Sequence, residues 1–419
     1  NRGGIVGLES AYELLKALVR GHPDYAEAQA LYAHVTLWNS ARMGGEIPWI
    51  IAENQIRRAL QKASSLKPAL PEIYLVEGRL HMRSGDPETA IEFFQRAIEL
   101  NPSYAEAYRY LSQAAEDLGR TSQAWEALEV ARKLDPISVS TLTWVIRQAR
   151  KHDRPDMADD AMQVLRQVAP ARADILEYRL LYSDYRLAEA AIALEDIRAN
   201  WPNEDPHDFG LANLYAVLGK SDEAMALDLT AKAWLAADLG QREIALSAME
   251  EEAAKRTDPH DRADLYWVTY VILGMHDEAL EVLSDLWYGY AAEDIGPKMD
   301  WGDAIVFVEL LREAGRADEA APIAEQLIEI FSANEEDYVL QIRMLEGDHE
   351  EALRLLIEDA KTGKPLIGYT SIRVNYFALK RLPEFATFDR LIQDFRKEQR
   401  ALYDQMTSER TSAEDKSHP

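Results

Sequence analysis

The sequence predicts an all-α chain of stacked helical hairpins. Three observations carry that expectation. Pro68, Pro102, Pro136 and Pro170 stand 34 residues apart. Seven glycines are each followed five residues later by alanine: Gly85/Ala90, Gly119/Ala124, Gly219/Ala224, Gly240/Ala245, Gly274/Ala279, Gly315/Ala320 and Gly347/Ala352. Between these marks the apolar residues recur at helical spacing, not in strand alternation.

Each element has a physical reason. The prolines follow apolar helix-like runs, as in Ala97-Ile98-Glu99-Leu100-Asn101-Pro102 and Ala131-Arg132-Lys133-Leu134-Asp135-Pro136. Proline cannot continue a helix, so each marks a stop. Glycine ends the first helix of a pair in the left-handed conformation. Acidic residues open the second, as in Ser221-Asp222-Glu223, Asp277-Glu278 and Asp318-Glu319, where the helix dipole favours them. The alanine falls where the two helices approach too closely for a larger side chain. In the clearest unit, Pro71 to Pro102, the first helix aligns Tyr74, Gly78 and His81, and the second aligns Ala90, Phe94 and Ala97 with Ile91 and Ile98 alongside.

This unit resembles the tetratricopeptide repeat (TPR), with His81 in place of the usual Tyr. The next unit, Ala105 to Pro136, keeps Tyr108, Ala124, Ala131 and Pro136 but has Ser112 and Leu128 where the pattern has Gly and Phe. The unit ending at Pro170 keeps Ala158 and Pro170 and little else. Earlier, His22-Pro23-Asp24-Tyr25-Ala26-Glu27-Ala28 parallels Asn101-Pro102-Ser103-Tyr104-Ala105-Glu106-Ala107. The resemblance spans roughly residues 8–360 and is strongest at 71–136. It implies a right-handed α-solenoid of about ten helix hairpins, each burying its apolar face only by stacking on its neighbours.

The period breaks in three places. An insertion lies near Arg42–Trp49; Gly219 and Gly240 are only 21 residues apart, so a helix there is shared or a repeat shortened; Gly274 and Gly315 are 41 apart. The last break adds residues near Trp287-Tyr288-Gly289-Tyr290 through Pro297–Trp301. The domain expectation is an N-terminal array over 1–170, an irregular joint at 171–206, a C-terminal array with cap over 207–403 and a disordered polar tail at 404–419. A final amphipathic helix including Phe388, Leu391, Ile392 and Phe395 is the C-terminal capping helix a solenoid needs. This end resembles TPR regions of bacterial regulators in which a TolB-like segment and a winged-helix or cyclase domain lie upstream. That likeness implies a bacterial source and a piece of a larger chain. The start, Asn1-Arg2-Gly3-Gly4, is not a secretory signal, and a longer or processed precursor is expected.

Composition excludes whole classes of chemistry. The 419 residues carry 46 Lys+Arg against 73 Asp+Glu, a formal charge of −27, which argues against a nucleic-acid surface and favours basic partner surfaces. No cysteine is present, which removes disulfides, zinc-thiolate sites and thiol nucleophiles. No apolar run approaches the roughly 18 residues of a membrane span. Phosphate loops, dinucleotide fingerprints, G-x-S-x-G and H-E-x-x-H are all missing. Two Asp-Pro-His-Asp strings offer a metal reading, His207 with Asp205 and Asp208, and His260 with Asp258 and Asp261. Helix-start chemistry explains both better, and Asp86-Pro87-Glu88 does the same without histidine. No metal, cofactor or catalytic residue is therefore assigned; a metal-dependent hydrolase is the weakest of the functional readings.

In the TPR family the first helix of each pair lines the concave face. Carried over, that face includes His34, Trp38, Arg79, Arg83, Arg109, Gln113, Arg147 and Arg150, a cationic strip for an acidic peptide or carboxylate. The competing reading is a solvated face balanced by Glu77 and Asp117. The Lys/Asn/Arg set of chaperone-binding TPR proteins is not matched. A second candidate contact is the inserted aromatic group Trp287, Tyr288, Tyr290 and Trp301, since aromatics are favoured interface anchors. The leading expectation is a non-catalytic scaffold for a protein or peptide partner, extending to a larger multiprotein complex, with no nucleic acid and no direct membrane insertion. The alternative is a sensory or regulatory TPR module of a membrane-anchored bacterial transcription or cyclase regulator. The absent cysteine and the regulator resemblance favour periplasm over cytoplasm.

Overall fold

The computed structural model describes residues 5–40, 49–202, 208–256, 259–286, 301–332, 335–362 and 377–417. Among these every regular element is helical. The chain divides into two compact units, Asn1–Leu176 and Glu177–Pro419.

The N-terminal unit opens with α1 (Ile5–Gly21) and continues as four hairpins: α2 (Ala26–Ser40) with α3 (Trp49–Leu66), α4 (Pro71–Arg83) with α5 (Pro87–Leu100), α6 (Ala105–Asp117) with α7 (Thr121–Leu134), and α8 (Val139–Lys151) with α9 (Pro155–Val168). The first helices touch in sequence, α2 on α4, α4 on α6 and α6 on α8, and so line one side of the unit. Local chemistry sets the ends. Pro71 and Pro87 start α4 and α5, where a missing N–H costs nothing. Asp86 Oδ1 accepts the Thr89 amide at 3.1 Å, the bond of an N-cap. Gly85 turns the chain at φ +76°, and the Asp86 amide reaches back to the His81 carbonyl at 2.9 Å.

All seven glycines of the spacing pattern take positive φ, from 68° to 78°. Two further turns take it without glycine. Asp153 (φ 53°) joins α8 to α9, and Tyr185 (φ 60°) joins α10 (Pro170–Ser183) to α11 (Leu187–Asn200). The Arg154 and Arg186 amides then bond Ala149 and Leu181 carbonyls at 2.7 and 3.0 Å, as Asp86 bonds His81.

Packing explains the strict unit. A Cβ on Gly78 would lie 2.5 Å from the Phe94 ring, and Phe94 is fully buried. The bare Gly78 backbone thus makes room for the phenyl group. One period later Ser112 and Leu128 stand in the two places, both buried: the smaller Leu leaves space for a side chain, and Ser112 Oγ accepts the Trp144 indole N–H at 3.0 Å.

Helix α10 runs through the boundary between the units, and in the C-terminal unit α11 is followed by α12 (Asp208–Val217) with α13 (Ser221–Leu227), α14 (Leu229–Asp238) with α15 (Arg242–Ala253), α16 (Pro259–Ile272) with α17 (His276–Leu286), α18 (Trp301–Glu313) with α19 (Ala317–Ser332), and α20 (Glu335–Glu346) with α21 (His349–Lys361). The described residues thus form nine helix hairpins whose two helices touch, and α10 with α11 repeats their turn geometry. The 21-residue spacing is a shortened repeat. Helix α13 has 7 residues where α5 has 14. A single extended residue, Asp228 (φ −146°, ψ 135°), ends α13 and caps α14 through the Ala231 amide at 2.8 Å.

After a short 3₁₀ turn at Phe377–Arg381, the last helix α22 (Phe385–Ser417) packs on α21 and also returns to α11. It caps the unit and closes it. Gln399 Oε1 accepts the Leu187 and Ala188 amides at 3.0 and 3.2 Å, supplying the N-cap that Arg186 does not. Arg400 donates to the Leu218 carbonyl just past α12 at 3.1 Å. Tyr403 and Tyr215 both bond Glu195 Oε1 at 2.6 Å; burial first, and Glu195 second, push the Tyr215 phenol up to about 12. Residues 404–417 are helix where composition leads one to expect a disordered tail. The i,i+4 pairs Arg400–Asp404 (2.9 Å) and Gln405–Glu409 (2.9 Å), and the ion pair of Arg410 with Asp196, hold that stretch.

Candidate functional site

Four of the eight concave-face candidates come together on α2, α4 and α6. The Arg79 guanidinium sits 5.1 Å from the Trp38 ring centroid and 4.9 Å from that of Tyr110. Arg109 lies 3.8 Å from Tyr110. Both cations therefore use the negative face of an aromatic ring. Glu106, one turn before Tyr110, is the carboxylate of the group: its Oε1 is 3.8 Å from Arg109 and 3.6 Å from His34 Nε2. His34 Nε2 also lies 3.0 Å from Trp38 Nε1. An indole N–H only donates, so that nitrogen serves one neighbour at a time: with the ring proton on Nδ1 alone it accepts from Trp38, and with a proton on Nε2 it donates to Glu106.

The electrostatics are uneven. Burial pushes the Glu106 carboxyl up, but His34, Arg109 and Arg79 outweigh it and hold it below the usual carboxylate range. Burial pulls the Arg79 guanidinium below its usual value, and Tyr110 and Glu106 only partly oppose that. Arg79 Nη1 is buried with no hydrogen-bond partner. A guanidinium offers five N–H donors in a flat fork, and leaving one dry and unpaired is costly. Trp38 remains 38% exposed, so the group borders solvent.

The other candidates lie elsewhere. Arg83 is exposed at the end of α4, where Glu53 is a charged neighbour. Gln113 is half-buried on α6, and Arg147 and Arg150 are exposed on α8. The basic run that contains them is partly taken up within the unit. Lys151 and His152 reach the buried Glu116 at 2.7 and 2.9 Å, and Arg154 covers the Trp125 ring at 4.3 Å. Trp287, Tyr288 and Tyr290 lie outside the described residues, as do Asp205, His207 and Asp258; Trp301 begins α18.

Tyr110 and Glu106 escaped the sequence reading. The signal for Tyr110 was the period itself: it stands 34 residues before Trp144, on the same first-helix face. Nothing in the local sequence marks Glu106 apart from other first-turn acids.

A tetratricopeptide-repeat family model matches residues 75–137, the stretch containing Arg79, Glu106, Arg109 and Tyr110. No curated protein matches the chain. Three solved structures are similar to parts of the chain. PilW, a widely conserved type IV pilus biogenesis factor, is 16% identical over 48% of this chain and 88% of its own, with a TM-score of 0.35. YrrB, a TPR protein with an unusual peptide-binding site, is 18% identical over 46% and 98%, at 0.28. The APC/C hetero-tetramer Cut9-Hcn1 is 11% identical over 83% and 52%, at 0.41. At these superpositions they carry no functional conclusion. Residues 75–137 thus match the tetratricopeptide-repeat pattern, and the helix pairs that flank them form similar hairpins from looser sequence.

Proposed function

We propose that the chain is a non-catalytic interaction scaffold whose N-terminal unit binds a peptide partner through a carboxylate seated on Arg79 and Arg109. The observation that carries this reading is Arg79 Nη1, buried and without a hydrogen-bond partner beside the part-exposed Trp38. Among the described contacts two guanidinium groups face one carboxylate, Glu106. An incoming carboxylate completes the balance and accepts the unmade bond. Planar guanidinium suits it because carboxylates bind bidentately, and the aromatic plates fix the fork in advance. The family matched at 75–137 fits a binding role, since stacked hairpins expose a long surface formed from successive first helices.

The test is fluorescence anisotropy of the full chain with a labelled acidic peptide, acetyl-Leu-Asp-Glu-Leu-Asp-Glu amide, against its Asn/Gln counterpart. The acidic peptide should bind at least tenfold more tightly, and Arg79→Gln with Arg109→Gln should erase the difference. Arg79→Lys should recover little, because ammonium neither stacks nor forks as guanidinium does. Equal binding of the two peptides, or a preference that survives the double substitution in a folded chain, removes the proposal.

A further inference from the structure

The C-terminal unit holds a cavity of about 400 Å³, within the roughly 300–1,000 Å³ of small-ligand sites. Helices α12, α14, α15, α16 and α18 contribute its walls. Among the described residues its lining carries four carboxylates, Asp228, Glu252, Asp264 and Asp303, and one guanidinium, Arg256.

Arg256 is already committed to the wall. It donates to Thr230 Oγ1 at 2.7 Å and to the Asp261 carbonyl at 2.6 Å, and lies 3.4 Å from Glu252. Two carboxylates are fixed in place: Asp228 caps α14, and Asp264 accepts the Trp267 indole N–H at 3.1 Å. Aromatic rings complete the wall. Phe209, 39% exposed, meets Trp234 edge-on at 5.4 Å and 76°. Carboxylates beside aromatic faces favour a cation that is taken partly out of water.

A separate observation narrows the ligand. Trp234 Nε1 lies in this lining, buried and without a hydrogen-bond partner. It can only donate, so a bare cation leaves it unsatisfied. A ligand with a cationic head and a nearby carbonyl meets both demands.

We propose that this cavity takes an arginine or lysine side chain presented by a polypeptide, with the guanidinium or ammonium group held by the carboxylates and ring faces and a peptide carbonyl accepting from Trp234. None of these residues belongs to the Arg79 group, so either site stands if the other fails.

Isothermal titration of the full chain with acetyl-Gly-Arg-Gly amide, acetyl-Gly-Lys-Gly amide, the uncharged norleucine tripeptide and agmatine tests it. Both basic peptides should bind at least tenfold more tightly than the norleucine peptide. Agmatine, a guanidinium without a peptide carbonyl, should bind more weakly than the arginine peptide. Asp264→Asn with Asp303→Asn should cost at least tenfold, about 1.4 kcal/mol, because Asp264→Asn keeps an acceptor for the Trp267 indole while the charge is lost. Trp234→Phe should weaken the arginine peptide and leave agmatine unchanged. Circular dichroism verifies that each variant is folded, and the four-ligand comparison needs no variant at all. Norleucine binding as tightly as lysine, agmatine matching the arginine peptide, no loss in the double variant, or no binding of either basic peptide at millimolar concentration overturns the proposal.

Discussion

The strict repeat at α4–α7 and the shortened one at α12–α15 solve the same problem by different means. In the first, a hairpin is held by its own two helices: Gly78 opens a slot and Phe94 fills it. In the second, α13 is a 7-residue helix, too short to give its partners a full face. Support arrives from far along the chain. Gln399 caps α11 across 212 residues, and Arg400 bonds the carbonyl just beyond α12 across 182. The difference teaches that pattern strength and stability are separate properties. A repeat with a faint sequence pattern still folds when a distant helix satisfies its polar ends.

The sharpest way to break that contrast is Phe94→Ala. The ring is fully buried, and deleting such a group costs about 3–5 kcal/mol. Urea unfolding followed by hydrogen exchange should show the loss in α4–α7 amides, with α11 and α12 amides unchanged. A comparable loss in both regions would mean that the strict repeat is not self-supporting.

Gly78→Ala comes next. The new methyl would sit 2.5 Å from the ring, and overpacking of this kind costs about 1–3 kcal/mol, partly offset by about 1 kcal/mol of helix propensity. Adding Phe94→Leu, which copies the Ser112/Leu128 pairing one period later, should recover part of the loss. Gly210→Ala in the shortened region meets its nearest atom at 3.3 Å, the Tyr178 hydroxyl, and should cost less. The two urea midpoints give the ranking directly.

Gln399→Ala tests the distant support. It removes the acceptor shared by the Leu187 and Ala188 amides, and losing an N-cap costs about 1 kcal/mol. Exchange of those two amides should quicken about fivefold, since about 1.4 kcal/mol is a factor of ten. Unchanged protection would show that α22 is not what holds the start of α11.

These effects differ in how visible they were beforehand. The Gly78/Phe94 fit and the seven turn glycines were legible because steric demands act within one hairpin and recur at a fixed period. Arg79, Arg109, His34 and Trp38 were legible as a face, yet not as a stack, since Tyr110 and Glu106 carry no local mark. The return of α22 was illegible: Gln399 and Arg400 look like ordinary surface residues of a polar helix, and their partners lie 212 and 182 residues away. The cavity around Trp234 was hidden for the same reason, being built from five separate helices.

The smallest effect concerns a turn the period had already located. Gly85, Gly119 and Asp153 are evenly spaced by 34 residues, and Asp153 takes the same left-handed conformation as the two glycines. A side chain there brings Cβ close to the following carbonyl, at roughly 1–2 kcal/mol, although Asp tolerates the region better than most residues. Glycine removes that crowding but gives back unfolded-chain entropy, roughly 0.5–1 kcal/mol. Asp153→Gly should therefore stabilise the α8/α9 hairpin by only about 0.5 kcal/mol, a shift in the urea midpoint with an unchanged slope. Tyr185→Gly, at the matching turn of α10/α11, should relieve more, because Tyr has no short polar group to bond its own backbone. Its half-buried ring gives up contact in exchange. If Asp153→Gly instead destabilises the chain, the Asp side chain is holding the turn through its own bonds, and this hairpin owes less to backbone geometry than its two glycine-turned neighbours.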